Sequence, residues 1–181
     1  MNSTKNDMRI GVAHRYLGFS LTEAMVTVFI AALLAAAAAP SFTSMIRKIK
    51  INSISSALAS SLQQARSEAI KLNRPVLVCS KNTAGTDCAA STDWGSNGWI
   101  VCYDKDADGA CDPSTDTLPN PIRVNSKVAA ASAAITGSVA QIRFNPAGAS
   151  GTGVTVEVQG AAGETARITI AASGLITSSR I

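Results

Sequence analysis

The sequence predicts an α+β protein: a long N-terminal helix, membrane-spanning in its first half and amphipathic in its second, packed on antiparallel β-sheets. Three observations carry that expectation. The run from Phe19 to Ala39 holds a single ionisable group, Glu23. Apolar residues then recur at three- and four-residue steps from Ile51 to Leu72, the spacing of one helix face. After Pro75 the pattern changes to short β-type runs separated by Gly, Asn, Asp, Ser and Pro.

Taking the elements in order, Phe19–Ala39 at ~1.5 Å rise per residue covers about 30 Å, the thickness of a bilayer's hydrocarbon core. Basic residues precede it (Lys5, Arg9 and Arg15 against Asp7), so the N-terminus is expected on the cytoplasmic side. Glu23 is out of place there, since a carboxylate in a membrane helix costs about 2–3 kcal/mol unless it finds a partner. Pro40 should kink or locally melt the helix at the membrane boundary. Beyond it, Ile51, Ile54, Leu58, Leu62, Ala65, Ala69 and Leu72 form the face that meets a core, with Ser, Gln, Arg and Glu on the opposite face. Asn73-Arg74-Pro75 ends the helix, because the residue before proline is pushed out of the α region. Strands are expected at Val76–Ser80, Trp99–Tyr103, Val139–Phe144, Val154–Gln159, Arg167–Ala171 and Leu175–Thr177. The Ala/Ser-rich stretch from Ala129 to Gly137 reads as a poorly ordered loop.

Composition narrows the function. A chain of 181 residues suits one domain with a real core, and its hydrophobic fraction of 46% contrasts with an aromatic fraction of only 4% because much of it is alanine. Histidine occurs once, at His14, which excludes metal chemistry built on several histidines in its ordinary forms. No enzyme and no cofactor is expected. The net charge of +4 and pI near 9.0 would suit a nucleic-acid binder. However, the excess sits beside the apolar segment, in Lys5, Arg9, Arg15, Arg47, Lys48 and Lys50, and from Arg74 onward acid and base nearly balance.

The cysteines Cys79, Cys88, Cys102 and Cys111 number four and share one stretch, without CxxC half-sites for zinc. An even count behind an export-type N-terminus reads as disulfides in an oxidising compartment. Four cysteines permit three connectivities; the local one, Cys79–Cys88 with Cys102–Cys111, is expected, each bridge closing a short loop between strands.

Gly18-Phe19-Ser20-Leu21-Thr22-Glu23, following a short basic leader and opening an apolar helix, resembles the signal of type IV pilins and type II secretion pseudopilins. Several further stretches narrow the resemblance to the GspH/FimT group: Leu62-Gln63-Gln64-Ala65-Arg66-Ser67-Glu68-Ala69-Ile70, Pro75-Val76-Leu77-Val78-Cys79, Gly98-Trp99 followed by Asp104, and Ile168-Thr169-Ile170 before Ser173-Gly174-Leu175-Ile176. The resemblance implies a pilin-like fold and cleavage by a prepilin peptidase between Gly18 and Phe19, with N-methylation of Phe19. It also implies that Glu23 pairs with the terminal amine of a neighbouring subunit and that Pro40 bends the helix. The expected organisation is a leader (1–18), a transmembrane and assembly helix (19–40), the amphipathic second half of that helix (41–74) and a β-rich globular domain (75–181).

The implied function is that of a minor pilin of a type IV pilus, acting in assembly or priming. The alternatives are a type II secretion pseudopilin and a minor pilin that binds DNA during uptake. The implied partners are other pilin or pseudopilin subunits, the peptidase, the inner membrane and, on the last reading, DNA. The chain would sit in the bacterial inner membrane by a single pass with its C-terminal domain in the periplasm, then enter a surface pilus or periplasmic pseudopilus. Arg143, Arg167 and Arg180 are the candidate phosphate contacts, although the Gly-Arg-x-Arg tail of DNA-binding relatives is replaced here by Gly174-Leu175-Ile176. Finally, Asp104-Lys105-Asp106-Ala107-Asp108-Gly109 resembles the opening of a calcium loop built on Asp104, Asp106, Asp108 and Asp112. The closing carboxylate is missing, with Thr115 in its place, and a plain Asp/Gly turn is the expected reading.

Overall fold

The computed structural model describes residues 18–115, 119–128 and 133–180, the side chains of 37–41 and 180 excepted. The leader therefore lies outside the described residues. The chain divides into two compact units, Met1–Ser41 and Phe42–Ile181. Helix α1 is assigned over Leu21–Leu72. Its backbone stays helical at position 40, so the local melting expected at Pro40 does not interrupt α1. A proline interior to a helix removes one backbone hydrogen bond, and the turns on either side retain theirs. Its side chain lies outside the described residues.

Within the second unit, the predicted stripe packs as expected: Ile51, Leu58, Leu62, Ala65 and Ala69 are buried, and Ile54 and Leu72 pack at the margin. The helix stops by a Schellman cap. Asn73 takes a left-handed φ of 51°, and the Arg74 N–H donates back to the Ala69 carbonyl at 3.2 Å. Asparagine tolerates that conformation, and Pro75 forbids continuation.

Among the described residues eight strands follow: β1 (Val76–Ser80), β2 (Trp99–Tyr103), β3 (Arg123–Val124), β4 (Ala133–Gly137), β5 (Gln141–Phe144), β6 (Val154–Gly160), β7 (Thr165–Ile170) and β8 (Ile176–Arg180). They form two antiparallel sheets ordered β3-β2-β1-β5 and β4-β6-β7-β8. The helix stripe, the inward residues of the first sheet (Val76, Val78, Trp99, Val101, Tyr103, Ile142, Phe144) and those of the second (Ile135, Val156, Val158, Ile168, Ile170) share one core.

Two expectations are corrected. Ala133–Gly137 is not a loop but strand β4, paired along β6, with buried and exposed residues alternating; positions 129–132 lie outside the described residues. Alanine has low β-propensity, so the alternation of Ala133, Ile135 and Gly137 against Ala134 and Thr136 gave no strand signal until β6 supplied a partner. Strand β5 starts at Gln141 instead of Val139, because the Val139 carbonyl turns away to accept the indole N–H of buried Trp94 at 3.2 Å.

Candidate processing and assembly site

At the start of α1, Ser20 is the helix cap. Its hydroxyl accepts the Glu23 N–H at 3.2 Å and its carbonyl accepts the Ala24 N–H at 3.1 Å. Ser20-Leu21-Thr22-Glu23 is thus a capping-box sequence, which gives Glu23 a local reason to exist: a carboxylate in the first turn lies at the positive end of the helix dipole. That carboxylate is exposed and makes no ion pair among the described residues. Just before it, nothing among the described residues lies within 4 Å of where a Cβ on Gly18 would project, and Phe19 is 74% exposed. Gly18 and Phe19 thus lie just ahead of the first turn of α1, and Glu23 lies in it.

The following turns expose apolar side chains on every side: Leu21, Met25, Val26, Val28, Phe29, Ile30, Leu33 and Leu34. A helix apolar all round has to be covered by lipid or by other helices. Among the described residues no helix is long and apolar enough to cross a membrane; the expected run reaches into 37–39, whose side chains are not described.

In the second unit the polar residues of α1 do more than meet solvent, a role that periodicity alone did not indicate. Ser61 is fully buried, donates to the Ala57 carbonyl at 2.9 Å, and accepts the Trp99 indole N–H at 3.0 Å and the Asn125 amide at 3.3 Å. Gln64 accepts from Arg123, Arg66 donates to the Gly148 carbonyl, and Glu68 accepts from the Tyr103 hydroxyl. Burial pushes the Tyr103 phenol above the ordinary tyrosine range, with Glu68 adding to the effect. The Arg66 contact depends on glycine: a Cβ at Gly174, whose φ is +80°, would fall 1.8 Å from the Gly148 carbonyl oxygen.

Bridges join Cys79 to Cys88 and Cys102 to Cys111. Cys79 and Cys102 are buried on adjacent strands β1 and β2, on the face turned away from the helix. One oxygen of Asp87 ties the two loops, accepting from the backbone of Cys88 at 2.7 Å and of Cys111 at 2.8 Å.

The acidic loop is occupied by its own turn. Asp104, Asp106 and Asp108 place oxygens within 4.8 Å of one another. Asp104, however, is buried, ion-paired with Arg143, and accepts the backbone N–H groups of Asp108 and Gly109. Burial pushes its carboxyl up and the guanidinium opposes that. Asp108 accepts from Ala110 and Asp112 accepts from Lys105. These are the contacts of an Asp/Gly turn, and they leave Asp104 committed to a cation already present.

The three arginines considered for DNA do not form one patch of free charge. Arg143 is bound to Asp104 from the first sheet, and Arg167 on the second pairs with Glu157 directly across the ladder at 2.7 Å. Position 180 lies in β8 opposite Ala166, and its side chain is outside the described residues.

A capped, apolar N-terminal helix with an accessible Gly-Phe junction, whose second half packs on two antiparallel sheets, defines a type IV pilin-like subunit. A model described as the prokaryotic N-terminal methylation motif matches residues 14–39, and one described as type II transport protein GspH matches residues 55–174. The second spans well over half the chain: this protein belongs to the GspH family of pilin-like proteins. The methylation motif marks a membrane-anchored pilin-type chain, processed for a pilus or a pseudopilus. No curated protein matches the chain. Among solved structures it is similar to the type IV minor pilin FimU of Pseudomonas aeruginosa PAO1. In one crystal form the identity is 20% and the TM-score 0.52, over 73% of this chain and 90% of FimU. In a second form the values are 18%, 0.50, 71% and 91%. At that identity the likeness concerns the fold.

Proposed function

We propose that this chain is a structural minor pilin of a type IV pilus, acting in pilus assembly or priming and carrying no catalytic activity. The observation that carries the proposal is the helix terminus: an exposed Glu23 carboxylate without an ion-pair partner among the described residues, four residues after Phe19, at the head of a segment apolar on all sides. Cleavage after Gly18 creates a terminal amine beside that carboxylate. In a bundle of such helices, Glu23 of one subunit meets the amine of the next, which offsets the cost of burying either charge and sets their axial register. The leader is then residues 1–18, the anchor 19–40, the domain-bearing half of the helix 41–74 and the β-domain 75–181. The anchor crosses the inner membrane once and leaves the β-domain in the periplasm, from which it passes into the filament. FimU, similar in fold over nine-tenths of its length, is described as a type IV minor pilin and supports this reading by analogy.

The family description favours a second reading, a pseudopilin of type II secretion. One experiment addresses both. In a strain lacking the native copy, sheared surface filaments should contain the chain beginning at methylated Phe19. Glu23→Ala should remain in the membrane fraction and disappear from filaments. An unprocessed Met1 in filaments, or normal incorporation of Glu23→Ala, would overturn the proposed helix pairing. Intact piliation with lost protein secretion in the deletion strain would select the pseudopilin.

A further inference from the structure

Arg47, Lys48 and Lys50 follow the apolar run closely in sequence, eight to eleven residues after Ala39. On the orientation proposed above they lie on the translocated side, where flanking cations are ordinarily scarce. None of the three has an ion-pair partner among the described residues. Arg47 and Lys50 line a cleft of about 230 Å³ whose other wall is the β6–β7 turn, from Gly160 to Glu164. That volume is below the ~300 Å³ at which sites for drug-sized ligands begin.

The cleft also holds an unsatisfied acceptor. Glu164 Oε2 is shut off from solvent and has no hydrogen-bond partner among the described residues. It lies against the backbone of Gly160, where an added Cβ would meet it at 2.8 Å and the Ile51 side chain at 3.1 Å, so glycine leaves the space the carboxylate fills. Two cations without an ion-pair partner among the described residues and the Glu164 side chain, one of whose carboxylate oxygens is buried against Gly160, thus line a single small opening. A simple anion would satisfy the first pair and leave Glu164 unmet. A ligand carrying a phosphate and a primary ammonium satisfies both.

We propose that this cleft is a binding site for the phosphoethanolamine headgroup of a membrane lipid. The phosphate lies between Arg47 and Lys50, and the ammonium donates to Glu164. The inference rests on the membrane-anchored reading of the chain. Long cationic side chains beside an apolar segment reach back to the headgroup layer, and the carboxylate adds selectivity. A quaternary choline ammonium has no N–H to donate, and a glycerol headgroup brings no positive charge.

Native mass spectrometry of the mature full-length chain in detergent, with equal amounts of phosphatidylethanolamine, phosphatidylglycerol and phosphatidylcholine of matched acyl chains, tests the proposal. Phosphatidylethanolamine should be retained over phosphatidylcholine by about tenfold or more, the scale of one charge-assisted hydrogen bond. Glu164→Gln should abolish that preference and leave phosphatidylglycerol bound. The Arg47→Gln/Lys50→Gln pair should lower retention of both phosphatidylethanolamine and phosphatidylglycerol. Gly160→Ala, which displaces the carboxylate, should mimic Glu164→Gln. Equal retention of the three lipids, or an unchanged preference in Glu164→Gln, overturns the site. Binding of soluble glycerophosphoethanolamine as tightly as the lipid overturns the membrane source. Loss of self-association in the double variant with lipid retention unchanged overturns it in favour of a contact between subunits. Carbonate extraction of the wild type reports separately on the anchor, so release from membranes would sink that reading without deciding the headgroup chemistry.

Discussion

Ser61 is the polar group on which the helix–sheet contact turns. One hydroxyl in the middle of a buried helix face serves the Trp99 indole, the Asn125 amide and the Ala57 carbonyl. Ser61→Ala removes the acceptor for the buried Trp99 indole and for the half-buried Asn125 amide, which costs about 1–3 kcal/mol. Alanine's better helix propensity returns only a few tenths of a kcal/mol. A denaturant titration of the mature chain should show the midpoint falling accordingly, and an unchanged midpoint would mean that water replaces the hydroxyl. Serine on an apolar stripe gives no sign of this role. Nor does Asp87, whose single oxygen holds two disulfide loops together. Both depend on which distant backbone or indole arrives beside them.

Among the elements, strands β1 and β2 were legible because each is a continuous apolar run buried on both faces. The core side meets α1, and the other side is covered by the loops that the cysteines close. Strand β4 was not legible, and β3 comprises two residues that exist as a strand only through pairing with β2. The bridges belong to this level. Cys79–Cys88 fastens the end of β1 to its following loop, closing about ten residues, which in the chain-entropy model stabilises by roughly 2–3 kcal/mol. The double substitution Cys79→Ser/Cys88→Ser should lower the unfolding free energy by about that amount, with some addition from placing a hydroxyl at the buried position 79. Peptide mapping without reductant should recover Cys102–Cys111 intact in the variant, and a bridge between other cysteines in the wild type would contradict the pairing.

For the molecule as a whole, a net charge of +4 invites a nucleic-acid reading, and the ion pairs answer it in part. With Arg143 held by Asp104 and Arg167 by Glu157, neither is a spare cation for phosphate. Any duplex DNA affinity of the mature chain should therefore owe more to the cluster Arg47, Lys48 and Lys50 than to Arg143 or Arg167. It should be indifferent to sequence and fall about 40-fold between about 50 and 200 mM salt in a gel-shift titration, the loss for three phosphate contacts. Retardation that persists at 200 mM, and that weakens on Arg143→Gln or Arg167→Gln, would restore the DNA-uptake alternative.

The fold class, the helix stripe, the helix end at Asn73-Pro75 and most strands could be read from the chain because they rest on local rules. These are the helical and strand periods, the steric demand of proline and the disfavour of a lone carboxylate in an apolar run. The methylation motif of the N-terminus was legible for a related reason: its residues are contiguous along the chain. What the sequence could not supply is everything that requires two remote segments to meet. The capture of Arg143 by Asp104, the anchoring of Gln64, Arg66 and Glu68 on the β-domain, the strand at Ala133–Gly137, and the cleft between Arg47, Lys50 and Glu164 are of this kind. In each, a polar or weakly patterned residue acquires its role only when tertiary packing fixes what faces it, and no periodicity along the chain encodes that partner.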